Sequence, residues 1–164
     1  MRARLIAPFL AALVAAVFAA IAAAGCSGDP AELAATDAWS RPTPEGATDG
    51  VVYLQLTTDT DETLVGVQVA PQVAAAAELH TSDTAGGGGH QHGAAGGGVV
   101  TMTPVEEVPV AAGATVEFRP GGNHIMLVDL AEPLEAGDTF TATLRFASGR
   151  SLPTEVIVAD NPPA

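Results

Sequence analysis

Thr139-Phe140-Thr141-Ala142-Thr143-Leu144-Arg145-Phe146 alternates apolar and polar side chains without a break. Successive side chains on an extended chain point to opposite faces, so Phe140, Ala142, Leu144 and Phe146 share one face and Thr141, Thr143 and Arg145 the other. Period two over a full strand length predicts a half-buried β-strand. Ser148-Gly149 turns the chain, and Thr154 to Val158 runs back. Toward the N-terminus the pattern repeats. Asn123 to Leu130 follows the turn Arg119-Pro120-Gly121-Gly122, Val105 to Val110 and Thr115 to Phe118 flank Gly113, and Thr63 to Val69 and Gly50 to Leu56 are extended. Val73 to His80 is Ala-rich and fits helix or strand. Beyond the N-terminal run no segment carries a 3.6-residue apolar period. Many short strands punctuated by Gly and Pro predict an all-β sandwich spanning 36–160, with 161–164 (Asn-Pro-Pro-Ala) as a tail.

The first 25 residues read as a targeting segment rather than a fold element. Arg2 and Arg4 precede an almost wholly apolar run, Leu5 to Ala24, which stops at Ala23-Ala24-Gly25-Cys26. The run is about long enough to span a bilayer, but the small residues and the single Cys at its end favour cleavage. It resembles a bacterial lipoprotein signal, in which Cys26 becomes the lipid-modified first residue; Ala23 is a weaker match than the Leu usual there. Residues 26–35 then read as a tether. The expected location is the extracytoplasmic face of a membrane, with contact through the lipid anchor only.

Of 164 residues, 139 follow position 25, enough for one domain with its own core. That part holds all nineteen acidic side chains against four basic ones (Arg41, Arg119, Arg145 and Arg150) and no Lys, a net charge of −15. Such a surface repels nucleic acid and anionic headgroups, and keeps an exported monomer soluble. Cys26 is the only cysteine. Intrachain disulfides and zinc sites built on several thiolates are therefore excluded, and a blue-copper centre, which needs a thiolate inside the fold, is not expected of a Cys26 acylated at the membrane. No HExxH, GxSxG or phosphate loop is present, so nothing points to an enzyme.

Residues 83–98, Asp-Thr-Ala-Gly-Gly-Gly-Gly-His-Gln-His-Gly-Ala-Ala-Gly-Gly-Gly, stand apart as a flexible insertion. They have little apolar surface to bury, and Gly loses the most backbone entropy on ordering. His90 and His92 read either as accessory ligands for a second copper, as Cu(II), for which imidazole is suited, or as solvated loop residues.

His124 and Met126 lie two apart on an extended segment and so share a face. With Met102 and His80 they offer two imidazoles and two thioethers. Thioether sulfur is soft and favours Cu(I). Singly, each Met reads as core filler and each His as a strand-end residue. The spacing changes the balance. Met102-x21-His124-x-Met126, with Ala38-Trp39-Ser40-Arg41, Gly50-Val51-Val52-Tyr53-Leu54, Glu78-Leu79-His80, Met102-Thr103-Pro104-Val105, Arg119 to Leu127 and Gly137-Asp138, resembles the PCu(A)C family of extracytoplasmic copper(I) chaperones. The resemblance covers most of the chain after the signal. It departs in one place: 21 residues separate His80 from Met102, more than the family usually has. The Gly/His insertion accounts for the excess, and loop closure grows only logarithmically with length. The first His role is left between His80 and a loop histidine.

The resemblance implies a cupredoxin-like Greek-key β-sandwich or barrel. It implies one Cu(I) held by His80, Met102, His124 and Met126, and delivery to exported cuproproteins such as cytochrome c oxidase. Two other readings stay open: a copper-buffering lipoprotein without a dedicated acceptor, and a metal-free interaction module. Trp39 reads as a core anchor or a shield over the site. Tyr53, Phe118, Phe140 and Phe146 read as core, and Gly121-Gly122 as the turn that presents His124.

Overall fold

The structure is a computed structural model that describes residues 32–84 and 100–163. The signal segment, Cys26, His90 and His92 lie outside the described residues. Ten strands follow one another: β1 (Leu33–Ser40), β2 (Asp49–Thr58), β3 (Glu62–Val69), β4 (Ala74–Thr84), β5 (Val100–Pro104), β6 (Val108–Val110), β7 (Thr115–Phe118), β8 (Asn123–Leu130), β9 (Thr139–Phe146) and β10 (Ser151–Val158). Among the described residues every regular element is a strand.

All ten strands join one hydrogen-bonded run in the order β5-β4-β8-β7-β2-β1-β10-β9-β3-β6, with β8 also pairing β2. β3 and β4 sit one strand in from opposite ends of that run, yet they pack against each other. The sheet therefore curls into a half-barrel, and its two halves enclose the core without being separate sheets. The core holds Val52, Leu54 and Leu56 of β2, Leu64 and Val67 of β3, Leu79 of β4, Phe118 of β7, and Ile125 and Leu127 of β8. It also holds Ala142, Leu144 and Phe146 of β9, and Val156 and Val158 of β10.

β9 has the expected alternation: Ala142, Leu144 and Phe146 are buried, and Phe140 packs against the core from its edge. β10 pairs it antiparallel from Ser151↔Arg145 to Ile157↔Thr139. The Ala-rich segment is a strand. β8 pairs it from Ala74 to Thr81, and that ladder together with the burial of Ala74 and Leu79 outweighs the helix propensity of alanine; β5 joins the other edge only from His80 onward.

β1 was not evident from sequence, and it begins at Leu33, inside the stretch read as tether. A bulge explains why. Pairing with β2 runs Thr36↔Gln55 and then Trp39↔Tyr53, one extra residue on β1. Asp37 takes up the kink at φ 52° and accepts a hydrogen bond from Gln55 Nε2 at 3.0 Å. An extra residue exchanges the two faces of a strand. Leu33 and Ala35 pack inward before the bulge, Ala38 after it, and Trp39 is turned to the opposite face. There it packs at a 43° tilt against its pairing partner Tyr53 with centroids 5.2 Å apart, while the Arg41 guanidinium lies 5.8 Å above its ring. Trp39 is buried, but neither aromatic belongs to the core cluster, contrary to the expectation for Tyr53. β3 carries a similar irregularity between Leu64 and Gly66, which puts Leu64 and Val67 inside and leaves Val65 exposed.

Leu144 has no accessible surface. Leu144→Ala is expected to destabilise the fold by about 2–5 kcal/mol through lost burial and the cavity left behind. Val65→Ala should change stability by only about 0.5 kcal/mol or less. Urea unfolding of the two variants against the parent measures both.

Candidate metal centre

β4 and β8 pair in regular antiparallel register: Glu78 opposite Met126, Leu79 opposite Ile125, His80 opposite His124, and Thr81 opposite Asn123. Directly opposed side chains share a face. Leu79 and Ile125 enter the core, so Glu78, His80, His124 and Met126 lie together on the other face. The imidazole centroids of His80 and His124 are 5.7 Å apart, with the rings tilted by 41°. On the far side of β4, Met102 of β5 opposes Ser82, two residues after His80, and so belongs to the same face. Of the two thioethers, Met126 is half-buried and Met102 is 52% exposed on an edge strand.

The register thus brings His80 and His124 together, sets Met126 beside them and puts Met102 on the same face one strand away. His90 and His92 cannot be placed, since 85–99 are not described.

The turn before β8 is built by its backbone. Arg119 N–H donates to Asn123 O at 2.7 Å and Gly122 N–H to Arg119 O at 3.1 Å. Gly121 sits at φ 77° with open space around it, so conformation and not crowding requires glycine there. The Gly122 carbonyl then accepts two hydrogen bonds, from Ser82 N–H at 3.1 Å and from His124 Nδ1 at 3.0 Å.

A carbonyl oxygen only accepts, so Nδ1 of His124 carries the proton and Nε2 the lone pair. His80 is held the other way round: its Nε2 lies 3.1 Å from Glu78 Oε2. Both histidines are buried, at 8% and 2% exposure. His80 Nδ1 and His124 Nε2 are the buried side-chain polar atoms that find no hydrogen-bond partner among the described residues. Leaving such an atom unpaired costs about 1–3 kcal/mol, and folded proteins rarely do it. Two of them on neighbouring rings, with a thioether on the same face, could serve as donors to a soft, imidazole-accepting metal. No three His, Cys, Asp or Glu side chains converge among the described residues.

Sequence reading left two contributors unassigned. Glu78 was part of a matched motif without a role; the signal for it is the Glu-x-His spacing, which shares a face once the segment is a strand. The Gly122 carbonyl leaves no side-chain signature at all.

Beside the turn lies a cleft of about 360 Å³, lined among others by Trp39, Tyr53, Arg41, Phe118, Arg119 and the tail prolines Pro162 and Pro163. Burial pushes the Tyr53 phenol above its ordinary 10.0, and the nearby Arg41 charge lowers it in part.

The LpqE-like lipoprotein family matches residues 33–158. A relative in Leifsonia xyli subsp. xyli that carries a lipoprotein name is 49% identical over 51 residues, a match spanning 31% of this chain and 31% of the relative. Among solved structures, the copper-bound PCuAC domain from PmoF2 superposes with a TM-score of 0.59 at 19% identity, over 79% of this chain and 93% of that one. The solution structure of Cu(I)-DR1885 from Deinococcus radiodurans gives a TM-score of 0.53 at 28% identity over 87% of each chain. The fold is accordingly the cupredoxin-like, all-β fold of PCuAC domains.

Tyr53 is the only tyrosine, so phenolate absorbance at alkaline pH reads one group. Its midpoint is expected above that of the unfolded chain, and Arg41→Ala should raise it further. A raised folded-state pKa stabilises the fold while the phenol stays protonated. That contribution should be lost as pH rises from about 10 through the folded-state midpoint, read by urea unfolding.

Proposed function

The chain belongs to the LpqE-like family, and on that premise we propose that it is a lipid-anchored, extracytoplasmic Cu(I) chaperone. The observation that carries the reading is the pair of nitrogens, His80 Nδ1 and His124 Nε2, that lack a partner among the described residues on neighbouring buried rings. Met126 and Met102 supply thioethers on the same face, and thioether with imidazole suits Cu(I). PmoF2 and DR1885, whose folds it shares, are named as copper-bound proteins. In this reading Cys26 is the site of lipidation, and the chain has no catalytic role of its own.

Copper is the cargo. Two neutral imidazoles and two neutral sulfurs hold Cu(I) without a thiolate, so an acceptor offering Cys ligands can take the ion by stepwise exchange. The lack of cysteine in the domain lets the site persist where thiols oxidise. Met102, exposed on β5, is the ligand an acceptor reaches first. The acceptor we propose is a copper site of an exported cuproprotein such as cytochrome c oxidase. His90 and His92 would either capture copper and pass it inward or hold a second copper as Cu(II).

Titration of the full chain with Cu(I) against a competing chelator tests the site. One tightly held Cu(I) is expected. His124→Ala and Met126→Ala should weaken it by more than the ~10–100-fold seen when an outer partner of a metal ligand is removed. Unchanged affinity in His124→Ala would sink the proposal. Loss in His90→Ala or His92→Ala but not in His80→Ala would give the first ligand to the loop. Deletion of 83–98 should remove only the second copper. Transfer to an apo-oxidase fragment no faster than from free copper would leave a buffer in place of a chaperone.

A further inference from the structure

The two histidines of the candidate centre are pinned in opposite senses, and one of the pins is a side chain. We infer that Glu78 is a positioning residue: its carboxylate holds His80 through Nε2, so that His80 presents Nδ1 to the metal while His124 presents Nε2. The inference rests on the copper reading above and adds to it the ligating atoms and the group that selects one of them.

Four observations carry it. Glu78 and His80 are two apart on β4 and share a face, with Oε2 3.1 Å from Nε2. An ionised carboxylate has no proton to give, so the ring supplies it and the lone pair moves to Nδ1. Nδ1 is the atom left without a partner among the described residues. The opposite ring is held at its other nitrogen, by the Gly122 carbonyl at 3.0 Å, and its orphan is Nε2. A metal between the rings needs both orphans at once. Neutral imidazole has two tautomers, and Glu78 and Gly122 each remove the wrong one before copper arrives.

A ligand role for Glu78 is the competing reading, and the geometry disfavours it. The two nitrogens of an imidazole point in diverging directions, and Glu78 occupies the Nε2 edge of His80. Its side chain is 52% exposed, whereas that of His80 is 10% exposed. The carboxylate therefore approaches from the solvent side of a buried ring. It also lies opposite Met126 in the ladder, where a second sulfur donor already stands.

Ring ¹⁵N–¹H correlation spectra of the full apo chain, with Cu(I) competition titration, test this. The parent should show His80 as the Nε2–H tautomer and His124 as the Nδ1–H tautomer. Glu78→Ala should mix the His80 tautomers, leave His124 unchanged, and weaken Cu(I) binding about 10–100-fold. Glu78→Gln retains an acceptor oxygen and should keep the tautomer and most of the affinity. An unchanged His80 tautomer and unchanged affinity in Glu78→Ala would overturn the inference. So would equal losses in Glu78→Gln and Glu78→Ala together with an oxygen in the copper shell by X-ray absorption, since Glu78 would then be a ligand. The spectra need no copper, so a parent chain that fails to bind Cu(I) would defeat the chaperone reading while the tautomer result still stood.

Discussion

The register of β4 against β8 puts His80 opposite His124. A slip of one residue would exchange the faces of β4, carrying His80 into the core and Leu79 out of it. The register is fixed by what lies beneath. Leu79, Ile125 and Leu127 are buried against the other half of the curled sheet, and misplacing any one of them costs on the order of 2–5 kcal/mol. The apolar face thus chooses the pairing, and the polar face inherits it.

That inheritance sets two imidazoles in an unfavourable place. Each is nearly inaccessible and leaves one nitrogen unpaired among the described residues. At about 1–3 kcal/mol apiece, the pair removes a sizeable part of the 5–15 kcal/mol that separates folded from unfolded states. A packed hydrophobic pair at 80 and 124 would be the more stable solution. The surroundings do nothing to relieve the two atoms: Glu78 and Gly122 take the other nitrogen of each ring and fix it. A sheet that meets half the needs of two paired histidines, and the complementary half of each, leaves the two nitrogens that the proposed copper ion would take. Whatever binds there stabilises the native state in proportion to its concentration over its dissociation constant.

Much of this was legible in the chain. β8 and β9 begin and end where their patterns predict; β9 buries one face in unmodified alternation, whereas β8 buries His124 on one face as well as Ile125 and Leu127 on the other. The His and Met residues were visible through their spacing, which two-residue periodicity turns into a shared face. What escaped was whatever departs from period two or involves backbone. β1 hides behind its bulge at Asp37, which turns Trp39 away from the core and onto Tyr53. The alanines of β4 are indifferent locally and become a strand only because β8 pairs with them. With that segment undecided, Glu78 could not be given a face, and its role went unseen. The Gly122 carbonyl belongs to the backbone, which no side-chain pattern reports.

The proposed donors are not equally committed. His124 sits deepest, held by a turn whose carbonyl also receives Ser82, so moving it means opening the junction between β4 and β8. Met126 is half-buried in the middle of the same strand. Met102 stands on β5, the terminal strand of the hydrogen-bonded run, with half its side chain in solvent. An edge strand has one ladder where a central strand has two, and a Met side chain has three rotatable bonds. Stiffness therefore falls from the imidazole pair toward Met102, and so does the cost of displacement. A site of uniform rigidity would hold copper well and release it slowly. One graded from a pinned histidine pair to a loose outer thioether can keep the ion while a single ligand is exchanged, which is what stepwise transfer between proteins requires.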